Sequence, residues 1–164
     1  MSTLEEIDHT TFREVLGHFP TSVVAVTSVD SVQRPVGMAV GSFTSVSLTP
    51  PLVAFFPDKG SSTFPHIQES GRFCVNLLGD SQHEVCRMLS VKGGDKFARL
   101  SWRPAPSGAP IIDGALAWID CAIDSVSAAG DHHLVLGEVT SLAVVGAEHS
   151  PLIFFRGAYE RLAG

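Results

Sequence analysis

Gly37-Met38-Ala39-Val40-Gly41-Ser42-Phe43-Thr44-Ser45-Val46-Ser47-Leu48-Thr49-Pro50-Pro51 mixes small residues and hydroxyls with apolar alternation. Val36, Met38 and Val40 share one parity, and Phe43 continues on the other. Period-two alternation marks a strand, and small residues within it let something flat approach the backbone. Ser42, Thr44, Ser45 and Ser47 add hydroxyls along the same rim. The pattern predicts one long strand from Val36 to Leu48, stopped by Pro50-Pro51 and forming one wall of a ligand slot. Taken alone, the same small residues are explained more simply by tight packing against a neighbouring strand.

Upstream, Phe12, Val15, Leu16 and Phe19 follow helical spacing, with Asp8 or Thr10 as cap and Pro20 as stop. Ser22 to Val29 is a valine-rich strand, and Asp30 to Arg34 is a turn. Downstream, Leu52 to Phe56 reads as a short buried strand. Ser61-Ser62-Thr63-Phe64-Pro65-His66 opens a helix that Gly71 ends. Arg72 to Leu78 is a strand. Ser81-Gln82-His83-Glu84 matches a capping box, with a helix running to about Leu89. The segment from Val91 to Gly114 is loop-rich, with Pro104, Pro106 and Pro110. Ala115 to Val126 and Leu134 to Val145 read as a hairpin across Ala129-Gly130-Asp131. Ile119, Cys121 and Ile123 share one face, which assigns Asp120 and Asp124 to solvent. Leu152 to Phe155 and Tyr159 complete the set. About seven antiparallel strands with short helices predict a mainly β, closed or nearly closed barrel rather than a doubly wound sheet.

A length of 164 residues fits a single domain over 1–164 with a real core. Only 17% of residues are charged against 45% hydrophobic, which implies a covered surface, most simply a homodimer. The net charge of -6 comes without any basic stripe, which argues against nucleic acid as a partner. Cys74, Cys86 and Cys121 are widely spaced and lie in apolar patterns, as expected of buried, reduced thiols in a cytoplasmic protein. Met1 to Asp8 is polar and acidic, unlike a signal peptide, and no apolar run approaches the ~20 residues of a membrane helix. No metal-ligand spacing, Walker motif, G-x-G-x-x-G or G-x-S-x-G occurs.

Two places carry candidate chemistry. Lys59-Gly60-Ser61-Ser62-Thr63 joins a strand to a helix N-terminus, where N–H groups and the helix dipole favour an anion. Taken alone, it is equally an ordinary cap with a solvated lysine. His132, after Gly130-Asp131, enters a strand and could face the barrel mouth as a proton or amide partner. Taken alone, a turn histidine that caps the hairpin is the simpler reading.

These segments together resemble the flavin reductase family, the reductase components of two-component flavin-dependent monooxygenases. The family's strand reads roughly G-M-T-x-x-S-F-x-S-V-S-x-x-P-P, matched from Gly37 to Pro51. Gly130-Asp131-His132 with Gly137 and Val139 matches G-D-H-x-x-x-x-G-x-V. Phe73-Cys74-Val75-Asn76-Leu77-Leu78, Asp95-Lys96-Phe97 and Pro151 to Tyr159 also fit, in order, over nearly the whole chain. The resemblance implies an FMN-binding split β-barrel, Greek-key-like, that acts as an NAD(P)H:flavin oxidoreductase. Reduced FMN or FAD would pass to a separate monooxygenase, with NADH or NADPH as co-substrate.

By the same resemblance, Val40, Gly41, Ser42, Phe43, Ser45 and Ser47 would line the flavin ring. Lys59, Gly60, Ser61, Ser62 and Thr63 would hold its phosphate, with Lys96 and Phe97 also at the cofactor. Arg34, Pro35 and His132 would meet the nicotinamide nucleotide, with His132 as the residue acting in catalysis. Three departures stand out. Thr21-Ser22 replaces Thr-Gly, and Val40-Gly41 replaces Ala-Asn, which removes a side-chain amide near the ring. Met88-Leu89-Ser90 replaces an aromatic-bearing segment, which leans toward FMN over FAD. Two other readings remain: a flavin-binding electron carrier without pyridine-nucleotide activity, and a flavin-dependent oxidase acting on a small substrate.

Overall fold

The structure is a computed structural model, and it describes residues 7–163. Most of the acidic leader, read above as no signal peptide, therefore lies outside the described residues. In chain order the elements are α1 (His9–Gly17), β1 (Thr21–Ser22), β2 (Val24–Val29), β3 (Pro35–Val40), β4 (Phe43–Leu48) and β5 (Pro51–Phe55). Then come α2 (Phe64–Ser70), β6 (Arg72–Leu77), α3 (His83–Ser90), β7 (Trp102–Pro104) and β8 (Pro110–Ile112). The long hairpin β9 (Ala117–Ala129) and β10 (His132–Val144) follows, then β11 (Ile153–Phe155) and β12 (Ala158–Glu160).

The predicted long strand is two strands. Gly41 and Ser42 divide Val36–Leu48 into β3 and β4, which are the two opposite edges of a seven-stranded antiparallel sheet ordered β3-β2-β6-β9-β10-β5-β4. Two linking residues reach only about 10 Å. The sheet must therefore curl until its edges nearly meet. No ladder joins β3 to β4, so the barrel is split rather than closed. The fold class expected from sequence stands, and the split occurs within the segment read as one continuous strand.

Inside the curl, Val24, Val26, Phe55, Phe64, Ile67, Phe73, Val75 and Val135 form the main core. A second cluster, with Leu78, Leu89, Phe97 and Leu152, packs α3 and the 92–97 loop on the outside of β2 and β3. The predicted loop at 91–114 contains the β7–β8 hairpin, which lies over the outer face of β9 and β6. Asn76 fixes it there: its amide donates to Pro110 O at 3.2 Å and its carbonyl accepts Ile112 N–H at 2.8 Å.

That cover overturns the solvent assignment of Asp120. The carboxylate is fully buried and accepts Ser107 N–H at 2.8 Å and Ser107 Oγ–H at 2.6 Å. Asp124, beyond the hairpin, is exposed as expected. The capping box is also corrected. Ser81 does not cap α3; Gln82 occupies that position, and its side chain accepts Gly79 N–H and donates to Asp113 O. Asp8 does cap α1, accepting from Thr10 and Thr11 N–H. None of the residues of α1 is buried, so Phe12, Val15 and Leu16 face outward. All three thiols are free and buried, and burial pushes Cys121 up to about 12 and Cys74 further in the same direction. No helix among the described residues is long and apolar enough to cross a membrane.

Candidate functional site

The β3–β4 crossing makes the first part of the site. Gly41, Ser42 and Phe43 line a cavity of about 420 Å3 together with Phe19, Thr21 and Phe56. Ser42 Oγ donates to Phe56 O at 3.2 Å, which ties the crossing to the end of β5. Val40, half-buried, borders a separate small cavity with Phe154 and Tyr159. Ser45 and Ser47 lie farther along β4 and line neither of these cavities; Ser45 is exposed and Ser47 half-buried.

The second part is the β5–α2 loop. Its own hydrogen bonds occupy several of the donors expected to be free. Gly60 N–H donates to Asp58 Oδ1 at 2.6 Å, and Ser61 N–H donates to Asp58 O at 3.0 Å. Ser61 Oγ accepts both Thr63 and Phe64 N–H, at 3.2 and 3.1 Å. The Lys59 side chain is exposed, and its N–H donates to Asp131 O at 2.9 Å. Anion-binding capacity therefore shifts toward Ser62, Thr63 and Lys96.

These three residues meet in a cavity of about 250 Å3, with Gly37, His66 and Phe97. Gly93 and Gly94, at φ of 78° and 74°, make the left-handed turn that returns the chain to β3. Lys96 Nζ then donates to Leu89 O at 3.1 Å and to Gly37 O and Thr63 Oγ1 at 3.4 Å each. Among the described residues no carboxylate pairs with it. Burial lowers its pKa from the ordinary 10.5. A part-buried ammonium with only neutral partners suits a phosphate, so the residues present fit a phosphorylated flavin.

His132 joins this loop from the other side. It forms a bridge with Asp58, and its Nδ1 lies 2.7 Å from Asp131 Oδ1. That hydrogen bond, then the neighbouring imidazole charge, holds the Asp131 carboxyl below its ordinary value. His133 turns away to pack on Phe64, with ring centroids 5.2 Å apart. At the far end of β3, Arg34 and Pro35 line a further cavity. The Arg34 guanidinium meets Asp30 at 2.9 Å, and Arg34 N–H is the largest cause of the lowered Asp30 pKa.

Residues 16–163 match the family described as Flavin reductase like domain. The chain belongs to the flavin reductase family. It is 53% identical over 153 residues to a flavin reductase of Pseudomonas putida, covering 93% of this chain and 89% of that relative. The crystal structure of a homologue of nitrilotriacetate monooxygenase component B from Mycobacterium thermoresistibile superposes with a TM-score of 0.91. It is 46% identical, with 95% of this chain and 87% of that chain covered. A Streptomyces globisporus NADH:FAD oxidoreductase, solved with NAD and FAD fragments, superposes at 0.90 with 35% identity, covering 99% and 98% of the two chains.

Within this flavin reductase fold, several of the sequence-derived residues fall into three groups. Gly41, Ser42 and Phe43 form one, Thr63, Lys96 and Phe97 a second, and Lys59 with His132 a third. His66 and Trp102 also line the cavities and were not picked out from sequence as site residues, and Asp95, part of the Asp95-Lys96-Phe97 motif, lines them as well. The Gly93-Gly94 pair before Asp95 was the signal for that loop's return to β3.

Proposed function

We propose that this chain is an NAD(P)H:flavin oxidoreductase, one domain over residues 1–164, that supplies reduced FMN or FAD to a separate flavin-dependent monooxygenase. The carrying observation is the junction of the β5–α2 loop with His132 through Asp58 and Lys59, beside the unpaired ammonium of Lys96. The names of the relatives given above support the same activity.

When bound, flavin accepts the hydride and carries the electronic work. Ser62, Thr63 and Lys96 anchor its phosphate, with Lys59, Gly60 and Ser61 shaping the loop and Phe97 backing it. Gly41, Ser42 and Phe43 form the ring-side wall, flanked by Val40, Ser45 and Ser47. His132 orients the nicotinamide, with its ring held through Nδ1 by Asp131; Arg34 and Pro35 contact the rest of that nucleotide. Positioning the two reactants at near-attack distance is the protein's main contribution to rate.

The working form is a homodimer in the cytoplasm. The exposed apolar side chains of α1 support the dimer, since Phe12 is 55% and Val15 61% exposed. Three free, buried thiols support a reducing compartment. The test is anaerobic mixing of protein, one equivalent of flavin and NADH, followed by flavin absorbance. Bleaching is expected; bound flavin that stays oxidised would favour the electron-carrier reading.

A further inference from the structure

The exposed carboxylate of Asp58 stands at the head of the loop that leads to Ser62 and Thr63. Its charge is the wrong sign for a place that takes a phosphate, since like charges repel. Its hydrogen bonds give it a different use. Asp58 Oδ1 accepts Gly60 N–H at 2.6 Å, short as bonds to a charged acceptor are. A Cβ on Gly60 would stand 3.0 Å from the same oxygen, so the glycine is what lets the carboxylate close on the backbone. Asp58 O accepts Ser61 N–H at 3.0 Å. We propose that Asp58 is a positioning residue for the flavin phosphate, which takes up the first N–H groups of the loop and so holds Ser62 and Thr63 toward Lys96. The proposal rests on the flavin reductase reading and adds to it a residue that touches neither substrate.

Asp58 can act this way because its own backbone is fixed. Its bridge to His132 has a hydrogen bond on each side. His133 N–H donates to Pro57 O and Lys59 N–H donates to Asp131 O, both at 2.9 Å. The loop therefore starts from the entrance of β10, a part of the long hairpin.

Ahead of Asp58, the turn passes the constraint on. Ser61 Oγ accepts Thr63 N–H at 3.2 Å and Phe64 N–H at 3.1 Å. Phe64 is buried against Phe55, with ring centroids 6.2 Å apart. Thr63, also buried, places Oγ1 3.4 Å from Lys96 Nζ. Hydrogen bonds and adjacent residues thus connect Asp58 to the ammonium without a gap.

Two effects of opposite sign meet at this side chain. As a bare charge it weakens phosphate binding; as an acceptor it favours the loop that binds. Asparagine removes the charge and keeps an Oδ1 acceptor, whereas alanine removes both. Comparing the two variants therefore isolates the acceptor. FMN and riboflavin, which differ by the phosphate, are titrated against the wild type, Asp58→Asn and Asp58→Ala. Asp58→Ala is expected to bind FMN about fivefold more weakly than Asp58→Asn, the scale of one capping side chain. Asp58→Asn should bind FMN at least as tightly as the wild type, because it relieves the repulsion. Riboflavin should bind the two variants alike, within about twofold. In the flavin-free protein, the Gly60 amide should exchange with solvent about fivefold faster in Asp58→Ala than in Asp58→Asn. Equal FMN affinity in the two variants would overturn the proposal, as would a riboflavin loss that matches the FMN loss or equal exchange at Gly60. The exchange comparison needs no ligand, and reduction of FMN by the wild type reports separately on the flavin reductase reading.

Discussion

Gly137 on β10 lies against the ring of Phe73 on β6, so closely that a Cβ at Gly137 would overlap Phe73 Cζ and stand 3.1 Å from Cys121 Cβ. The glycine lets β10 cross the core while Phe73, fully buried, fills the space between them. Gly137→Ala is expected to destabilise the protein by about 1–3 kcal/mol through overpacking. Chemical denaturation checks this, and an unchanged midpoint would refute the contact.

Asp120 and Ser107 hold the β7–β8 hairpin on the barrel's outer face. Asp120→Ala removes a buried acceptor and leaves the half-buried Ser107 N–H and hydroxyl without it. A loss of about 2 kcal/mol is expected, the cost typical of an unpaired buried polar group. Ser107→Ala, which leaves the carboxylate one bond short, should also destabilise, and the double variant should lose less than the sum of the two. Strict additivity in a double-mutant cycle would contradict the pairing.

In the proposed function, His132 orients the nicotinamide. His132→Ala is expected to lower kcat/KM for NADH by about ten- to a hundredfold, the scale of one positioned polar contact. The flavin dissociation constant should move less than threefold. Equal losses in both quantities would remove the assignment.

In the proposed function, Lys96 holds the phosphate, and it can supply charge there in its protonated form only. Burial lowers its folded pKa below 10.5, so the unfolded chain binds more protons between the two pKa values. Protein stability should therefore rise with pH through that window. Flavin affinity should fall over the same range, because the ammonium is being lost. Lys96→Met should weaken flavin binding and flatten its salt dependence. A flavin affinity that is unchanged by the substitution and flat with pH would exclude the contact.

Much of the fold was legible because the hydrophobic period was right for most elements, including β2, β6 and the β9–β10 hairpin. The division of Val36–Leu48 was not, because alternation cannot tell one long strand from two that sit on opposite edges of a curled sheet. Gly41-Ser42 was the only local sign of the break. Asp120 was misassigned because the Pro-rich segment covers its face of β9, and such long-range cover leaves no trace in local periodicity. The Lys59–Thr63 loop and His132 were visible as motifs. The internal use of the loop's N–H groups was not, since it depends on Ser61 Oγ and Asp58 folding back on the backbone. Trp102 and His66 are far apart in sequence, and only the packing of the 92–97 loop brings them to one cavity.

The most direct test of the central claim is NADH consumption in air, followed at the nicotinamide absorbance band, with and without added FMN and FAD. The account predicts oxidation that requires flavin and that falls by about ten- to a hundredfold in His132→Ala. Clear flavin binding with no flavin-dependent NADH oxidation would contradict it.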